Sequence, residues 1–316
     1  MNLFRSAQAV ADAGGDGIID WESVARAAKA STPAGDLTLS ADEQAGFQTD
    51  VRDARDRLRA VGGVDFDLPE TIEIQHRHHW IDANIETFRR VVEPLESTPT
   101  ALPTVARTVN TGTMALTLGF LGRNVMGQYD PLLLADRADH ALYFVRPNIK
   151  GVANTLDVEY PRFRRWIAFH EVAHAAEFGS APWLPEYLET RMQHSVTALS
   201  EGSLETEQFH ELTAAMTAVE GYAELLMDRA FDDEYADLRA KVDARRQSGG
   251  PFRKLMSRLL GLGLKRDQYE RGAAFFETVA DARGLAAANA VWEAPANLPT
   301  NAELDAPEQW IRRVDP

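Results

Sequence analysis

A chain of 316 residues with 45% hydrophobic and 26% charged side chains has the composition of a folded globular protein and enough apolar material for a large core, which excludes wholesale disorder. Its 48 acidic residues against 33 Lys and Arg give a formal charge of −15, excluding the basic face that nonspecific binding to nucleic acid or to an anionic membrane requires. The absence of cysteine removes disulfides, thiolate metal sites and cysteine nucleophiles together.

No apolar run approaches the roughly 18 residues of a membrane span; the longest, at residues 114–121, is short and interrupted. The first residues reach Asp12 and Asp16 without an apolar stretch, so no signal peptide and a cytoplasmic location are expected. Lysine occurs only at Lys29, Lys150, Lys241, Lys254 and Lys265. An acidic, lysine-poor surface of this halophile-like kind suits a salt-rich cytoplasm, where repulsion between carboxylates is screened.

Helical spacing begins at residues 20–28 and 40–60, and Gly62, Gly63 and Pro69 break the second segment. His76, His78 and His79 precede the next predicted helix, residues 80–95, and read as solvated side chains before they read as a second metal site. That helix sets Ile81, Ile85, Phe88 and Val92 on one face. Pro94, Pro99 and Pro103 follow, as a domain boundary or a tight interhelical loop. The boundary reading divides the chain into a helical N-terminal region, 1–105, and a metal-binding core with C-terminal helices, 106–316; the loop reading leaves one continuous domain. The glycines from Gly119 to Gly127 lack dinucleotide-binding spacing and read as close helix packing. Ala141-Leu142-Tyr143-Phe144-Val145 is the best strand, ended by Arg146-Pro147-Asn148, and little else reads as β. A predominantly α fold with a small sheet, α+β, is therefore expected.

The next helix carries the most informative residues. Pro161 stands where it can begin, and Gly179 and Pro182 end it. Phe163, Ile167, His170 and His174 share a stripe, within His170-Glu171-Val172-Ala173-His174. Two histidines four apart on a helix converge on one zinc ion, and the glutamate between them reaches the space beside it without being a ligand. Glu171 is thus the candidate general base, acting on a water.

An open zinc site needs a third protein ligand. Glu177 is seven residues beyond His170, about 10 Å along the helix axis, and is set aside as a ligand. A metzincin would need glycine at 177 and histidine at 180, where this chain has Glu177 and Ser180. Glu220 lies 46 residues after His174 (220 − 174) on a separate predicted helix, 211–230, among Leu212, Met216, Val219, Ala223 and Met227. A carboxylate in such a stretch is costly to bury unless a metal compensates it, so Glu220 is the candidate third ligand. Glu224, one turn on, is placed to accept the spare N–H of a ligand histidine. The plainer alternative makes Glu220 and Glu224 solvated carboxylates. Tyr129, Tyr222 and Tyr269 are candidate oxyanion donors, each of which reads first as a core tyrosine. The strand at 141–145 is the candidate for pairing with an extended peptide. The remainder shows a break at residues 247–251, two further amphipathic helices and an irregular tail from Pro295.

The segment Glu220-Gly221-Tyr222-Ala223 resembles the glutamate-bearing segment of the gluzincin peptidases, in which the glutamate before glycine is the third ligand. More specifically, the chain resembles the zincin-like metallopeptidases often labelled as associated with coenzyme F-420 biosynthesis. The matching blocks are Gly127-Gln128-Tyr129-Asp130, Arg146-Pro147-Asn148-Ile149, residues 166–178 and residues 220–224. They continue at Leu259-Leu260-Gly261-Leu262 with Lys265, Gln268, Tyr269 and Gly272, and at Leu298-Pro299-Thr300 with Trp310. The resemblance spans most of the chain after about residue 75. It implies a largely helical zincin core with a small sheet and one Zn2+ ion, and no particular substrate. Here Val172-Ala173 fills the motif and Ala175-Ala176-Glu177 follows it, where relatives often carry threonine and glutamine; neither departure touches a ligand or the base. Structural zinc sites are closed and rich in cysteine, so the leading expectation is a zinc-dependent hydrolase, most specifically a metallopeptidase acting on a peptide or amide. The alternative is a non-catalytic zincin-like binding or regulatory protein that keeps the zinc, linked to coenzyme F-420 metabolism.

Overall fold

A computed structural model describes residues 2–97, 102–130, 141–200, 203, 207–231, 235–247 and 267–316. Side-chain caps fix where its first helices start. Asn2, Asp20 and Ser40 each accept a backbone N–H from the first turn of α1 (Leu3–Ala11), α2 (Trp21–Ser31) and α3 (Ala41–Gly62). α3 stops at Gly63, whose φ of 64° is left-handed. β1 (Thr71–Gln75) leads into α4 (Arg77–Val92). The histidine cluster is spent on this junction. His76 Nδ1 accepts the His79 N–H at 3.1 Å, the His76 and His79 rings stack at 3.8 Å, and His78 Nε2 lies 2.6 Å from the Thr32 carbonyl.

α5 (Pro103–Asn124) begins at its proline and is followed by β2 (Gly127–Asp130) and β3 (Ala141–Val145). Next come α6 (Arg146–Leu156), α7 (Tyr160–Ser180), α8 (Leu184–Ser200), α9 (Glu207–Ala230) and α10 (Ala236–Gln247). The chain closes with α11 (Asp267–Arg283), α12 (Leu285–Ala288), α13 (Asn301–Asp305) and α14 (Pro307–Val314). The fold is predominantly helical with a three-stranded mixed sheet in the order β1-β3-β2, β1 parallel and β2 antiparallel to β3. No helix among the described residues is long and apolar enough to cross a membrane.

Two expectations need correction, and one is met. β3 is central and paired on both sides, so its hydrogen-bonding edges are taken and β2, not β3, forms the edge next to the helical layer. As expected, residues 146–148 end β3; they do so by starting α6 directly, with Pro147 in the first turn. The tail beyond Pro295 is not irregular throughout: Thr300 and Glu303 form a reciprocal capping box at the start of α13. Trp310 on α14 is fully buried and donates to the Asn297 carbonyl at 2.6 Å.

The larger core joins α3 (Phe47, Val51, Leu58) to α7 (Phe163, Trp166, Phe169), α9, α11 and the tail. A smaller one joins α1, α2, α4 and α5 through Val24, Trp80, Ile81, Leu118 and Leu121. α3 thus sits with the later helices and α5 with the earlier ones, and the two cores do not follow the proline cluster near residue 105.

A polar junction ties α3, α6 and α7 at the end of β3. Arg146 holds Glu43 through two bonds, 2.6 and 2.9 Å, and Asp36 at 2.9 Å, while the Tyr160 hydroxyl donates to Glu43 at 2.6 Å. Burial raises the Glu43 pKa, but the bonds from Arg146 and Tyr160 outweigh it and hold the carboxyl below its ordinary 4.5. Its stabilisation is therefore present above that value and is lost as pH falls through the depressed one. Glu43→Gln is expected to cost about 2–3 kcal/mol at pH 7, leaving the buried Arg146 short of its counter-charge. Urea unfolding of both proteins at pH 7 and pH 3 checks this. The gap should shrink in acid, and an equal gap at both values would refute the linkage.

Candidate metal centre

α7 is apolar on most of its circumference, burying Phe163, Trp166, Ile167, Phe169, Val172, Ala173, Ala175 and Ala176. Such a helix lies inside the core, which fixes its rotation and so the direction of its polar side chains. His170 and His174, one turn apart, turn their Nε2 atoms toward each other at 3.3 Å with rings crossed at 75°. Glu220 comes from α9, its Oε2 4.0 Å from His170 Nε2. One ligand atom from each of His170, His174 and Glu220 falls within 4.8 Å of the others.

The donor set fits zinc. Donors placed tetrahedrally about 2.0–2.1 Å from an ion lie about 3.4 Å from one another. The two ring nitrogens already have that spacing, and the Glu220 carboxylate, 4.0 Å from His170 Nε2, lies within reach of the same centre. The electrostatics agree. Burial pushes the Glu171 carboxyl up to about 7, against the pull of His174 and a bond from the Tyr129 N–H, and pushes Glu177 up to about 7 as well. Burial also disfavours a charged His174, but Glu177, Glu220 and Glu171 outweigh it and hold that ring up at about 10. Carboxylates driven toward protonation beside a histidine driven toward charge mark a pocket short of positive charge, which a dication supplies.

Helix crossing positions Glu220. At Gly221 a Cβ would stand 2.3 Å from the carbonyl carbon of Gly272 on α11, and at Gly272 it would stand 2.2 Å from the Thr217 carbonyl oxygen. The two backbones touch, so any side chain at either position forces α9 and α11 apart beside the glutamate. That is the physical reason for a glycine after Glu220.

Glu171 is 6% exposed and its Oε2 accepts the Tyr129 N–H of β2 at 3.0 Å. Gly127, at the other end of the same strand, faces the same carboxylate: a Cβ there would meet its Cγ and Oε1 at 2.5 Å. The glycines at 119 and 122 do serve close packing, against Ser31 and Thr32 and against Ile81. Gly127 belongs instead to a strand and makes room for Glu171, a role the sequence reading missed.

The outer contacts also differ from expectation. At His174 the carboxylate is Glu177, whose Oε2 lies 2.9 Å from Nδ1, whereas the buried Glu224 lies 3.4 Å from Arg239 Nη2. Among the tyrosines, Tyr222 is fully buried with its hydroxyl on Asn289 at 2.5 Å, which makes it a core residue. Tyr129 packs its ring on Phe178 at 5.5 Å and offers its backbone to Glu171. The side chain of Tyr269 and the block at 259–265 lie outside the described residues.

A crystal structure from Chloroflexus aurantiacus, of a protein provisionally described as a hydrolase with a novel fold, is similar over 100% of this chain and 99% of that chain, with 28% identity and a TM-score of 0.75. None of the curated proteins matches the chain. The sequence model of the zincin-like metallopeptidase family matches residues 19–206 and 188–311. These two overlapping segments run through most of the sequence and contain every residue of the centre, and the chain belongs to the zincin-like metallopeptidase family.

Proposed function

We propose that the chain is a zinc-dependent hydrolase of peptide or amide bonds, in which His170, His174 and Glu220 hold one ion and Glu171 is the general base. Zinc, when bound, lowers the pKa of a water toward about 7 and polarises a carbonyl oxygen. Glu171 takes a proton from the attacking water and returns it to the departing amine, so one carboxylate serves both ends of the reaction. Its burial between α7 and β2 excludes bulk water, which would otherwise compete for that proton. β2 is the sheet edge beside this carboxylate and gives its Tyr129 N–H to Glu171, so an extended peptide laid along the edge would pair through the remaining outward groups and bring an amide to Glu171.

What carries this reading is the convergence of two imidazoles from α7 and a carboxylate from α9, with Glu171 next to them and outside the group of three. The test is metal analysis together with hydrolysis of casein and a mixed fluorogenic peptide set. One zinc per chain is expected, with cleavage that stops on chelation and returns on adding zinc. A protein that takes no stoichiometric zinc sinks the proposal. One that holds zinc and cleaves nothing favours the binding or regulatory alternative.

A further inference from the structure

Resting on the zinc reading above, we propose that Glu177 is a positioning residue of the centre, holding the His174 ring so that Nε2 is presented to the ion. Glu177 is 0% exposed and its Oε2 is 2.9 Å from His174 Nδ1. With Nε2 on the ion, the remaining ring nitrogen can only donate, so Nδ1 carries the hydrogen and Glu177 Oε2 accepts it. A carboxylate that accepts at Nδ1 favours the tautomer whose lone pair is on Nε2, the atom that faces His170 Nε2 at 3.3 Å. The bond also opposes a flip of the ring, which would replace Nδ1 by a carbon opposite the carboxylate.

Packing alone does not account for this residue. Burying a carboxylate costs several kcal/mol unless hydrogen bonds and charge compensate it, and a leucine or methionine fills comparable volume without that cost. The spacing adds a second consequence. Glu177 is three residues after His174 on the same helix, so one backbone sets the spacing of ring and carboxylate, and the Ala223 backbone of α9 steadies the carboxylate from the other side. Residues 170–177 therefore place two ligands, the base and an orienting carboxylate on one helix, while α9 supplies Glu220 and a backbone contact from Ala223 to Glu177.

The test compares the full-length wild type with Glu177→Met, which removes the acceptor, and Glu177→Gln, which keeps an acceptor and removes the charge. Zinc affinity is measured by competition with a chelating dye, and the imidazole N–H protons of the zinc-loaded proteins are followed by NMR. In the wild type the His174 Nδ1–H should appear far downfield and exchange slowly. In Glu177→Met that signal should be lost and zinc affinity should fall about 10- to 100-fold, with a smaller fall in Glu177→Gln. A zinc-free unfolding midpoint at or above the wild-type value shows that the loss is not misfolding. If the wild type takes zinc and Glu177→Met takes it equally well, or if the wild-type ring shows no protected Nδ1–H, the positioning role is wrong and the zinc reading stands. If the wild type takes no zinc, the reading of the centre falls first and this role falls with it.

Discussion

Glu171→Gln is expected to lower peptide hydrolysis about a hundred- to ten-thousand-fold while one zinc stays bound, the range over which a positioned acid–base group contributes. The glutamine fills the same space between Gly127 and the ligand histidines, and its carbonyl oxygen can still accept the Tyr129 N–H. It cannot take a proton. Because Glu171 lies outside the three converging donors, zinc stoichiometry should not change. Stability should hold or rise, since the substitution removes a carboxyl that burial already drives toward its neutral form. Measuring kcat/KM, bound zinc and the unfolding midpoint on one preparation separates the possibilities. Unchanged activity defeats the assignment of Glu171 as base. Loss of zinc would instead make it a ligand.

The parts of this site that were legible in the sequence are those whose geometry is local or whose chemistry is out of place. His170 and His174 are joined by the helical repeat alone, so spacing foretells their approach. Glu220 stands out as a carboxylate amid Val219, Ala223 and Met227. β2 was not legible because four residues, Gly127-Gln128-Tyr129-Asp130, are too few to show a period, and the strand exists only through antiparallel pairing with a β3 eleven or more residues away. β1, with Ile72 and Ile74 alternating, carried a weak signal that five residues between Pro69 and a histidine cluster do not amplify. Gly127 illustrates a different limit: a glycine in a sequence says that something comes close, not what, and here the neighbour is a side chain 44 residues later (171 − 127). Glu177 shows a third. Helical rise argues against its sharing an ion with His170, yet the i, i+3 spacing that reaches the far nitrogen of His174 was readable from the same helix and went unused.

Glu220→Ala is expected to abolish stoichiometric zinc, with a loss of affinity beyond the roughly 100-fold upper range for removing an outer carboxylate. Two imidazoles on one helix turn are an incomplete site, and the third donor also supplies the negative charge that partly neutralises the dication. The zinc-free fold should survive: the Glu220 side chain is 22% exposed, and alanine suits the interior of α9. Zinc that binds only the folded state stabilises it by about 4 kcal/mol at a thousand times its dissociation constant. The wild type should therefore melt measurably higher with zinc, and Glu220→Ala should melt alike with and without it. The three carboxylates then give three signatures. Loss of Glu171 removes turnover and keeps zinc, loss of Glu177 weakens zinc in part, and loss of Glu220 removes zinc outright. A Glu220→Ala protein that keeps one zinc at wild-type affinity would mean that the ion is not shared between α7 and α9, and the third donor would have to come from another element.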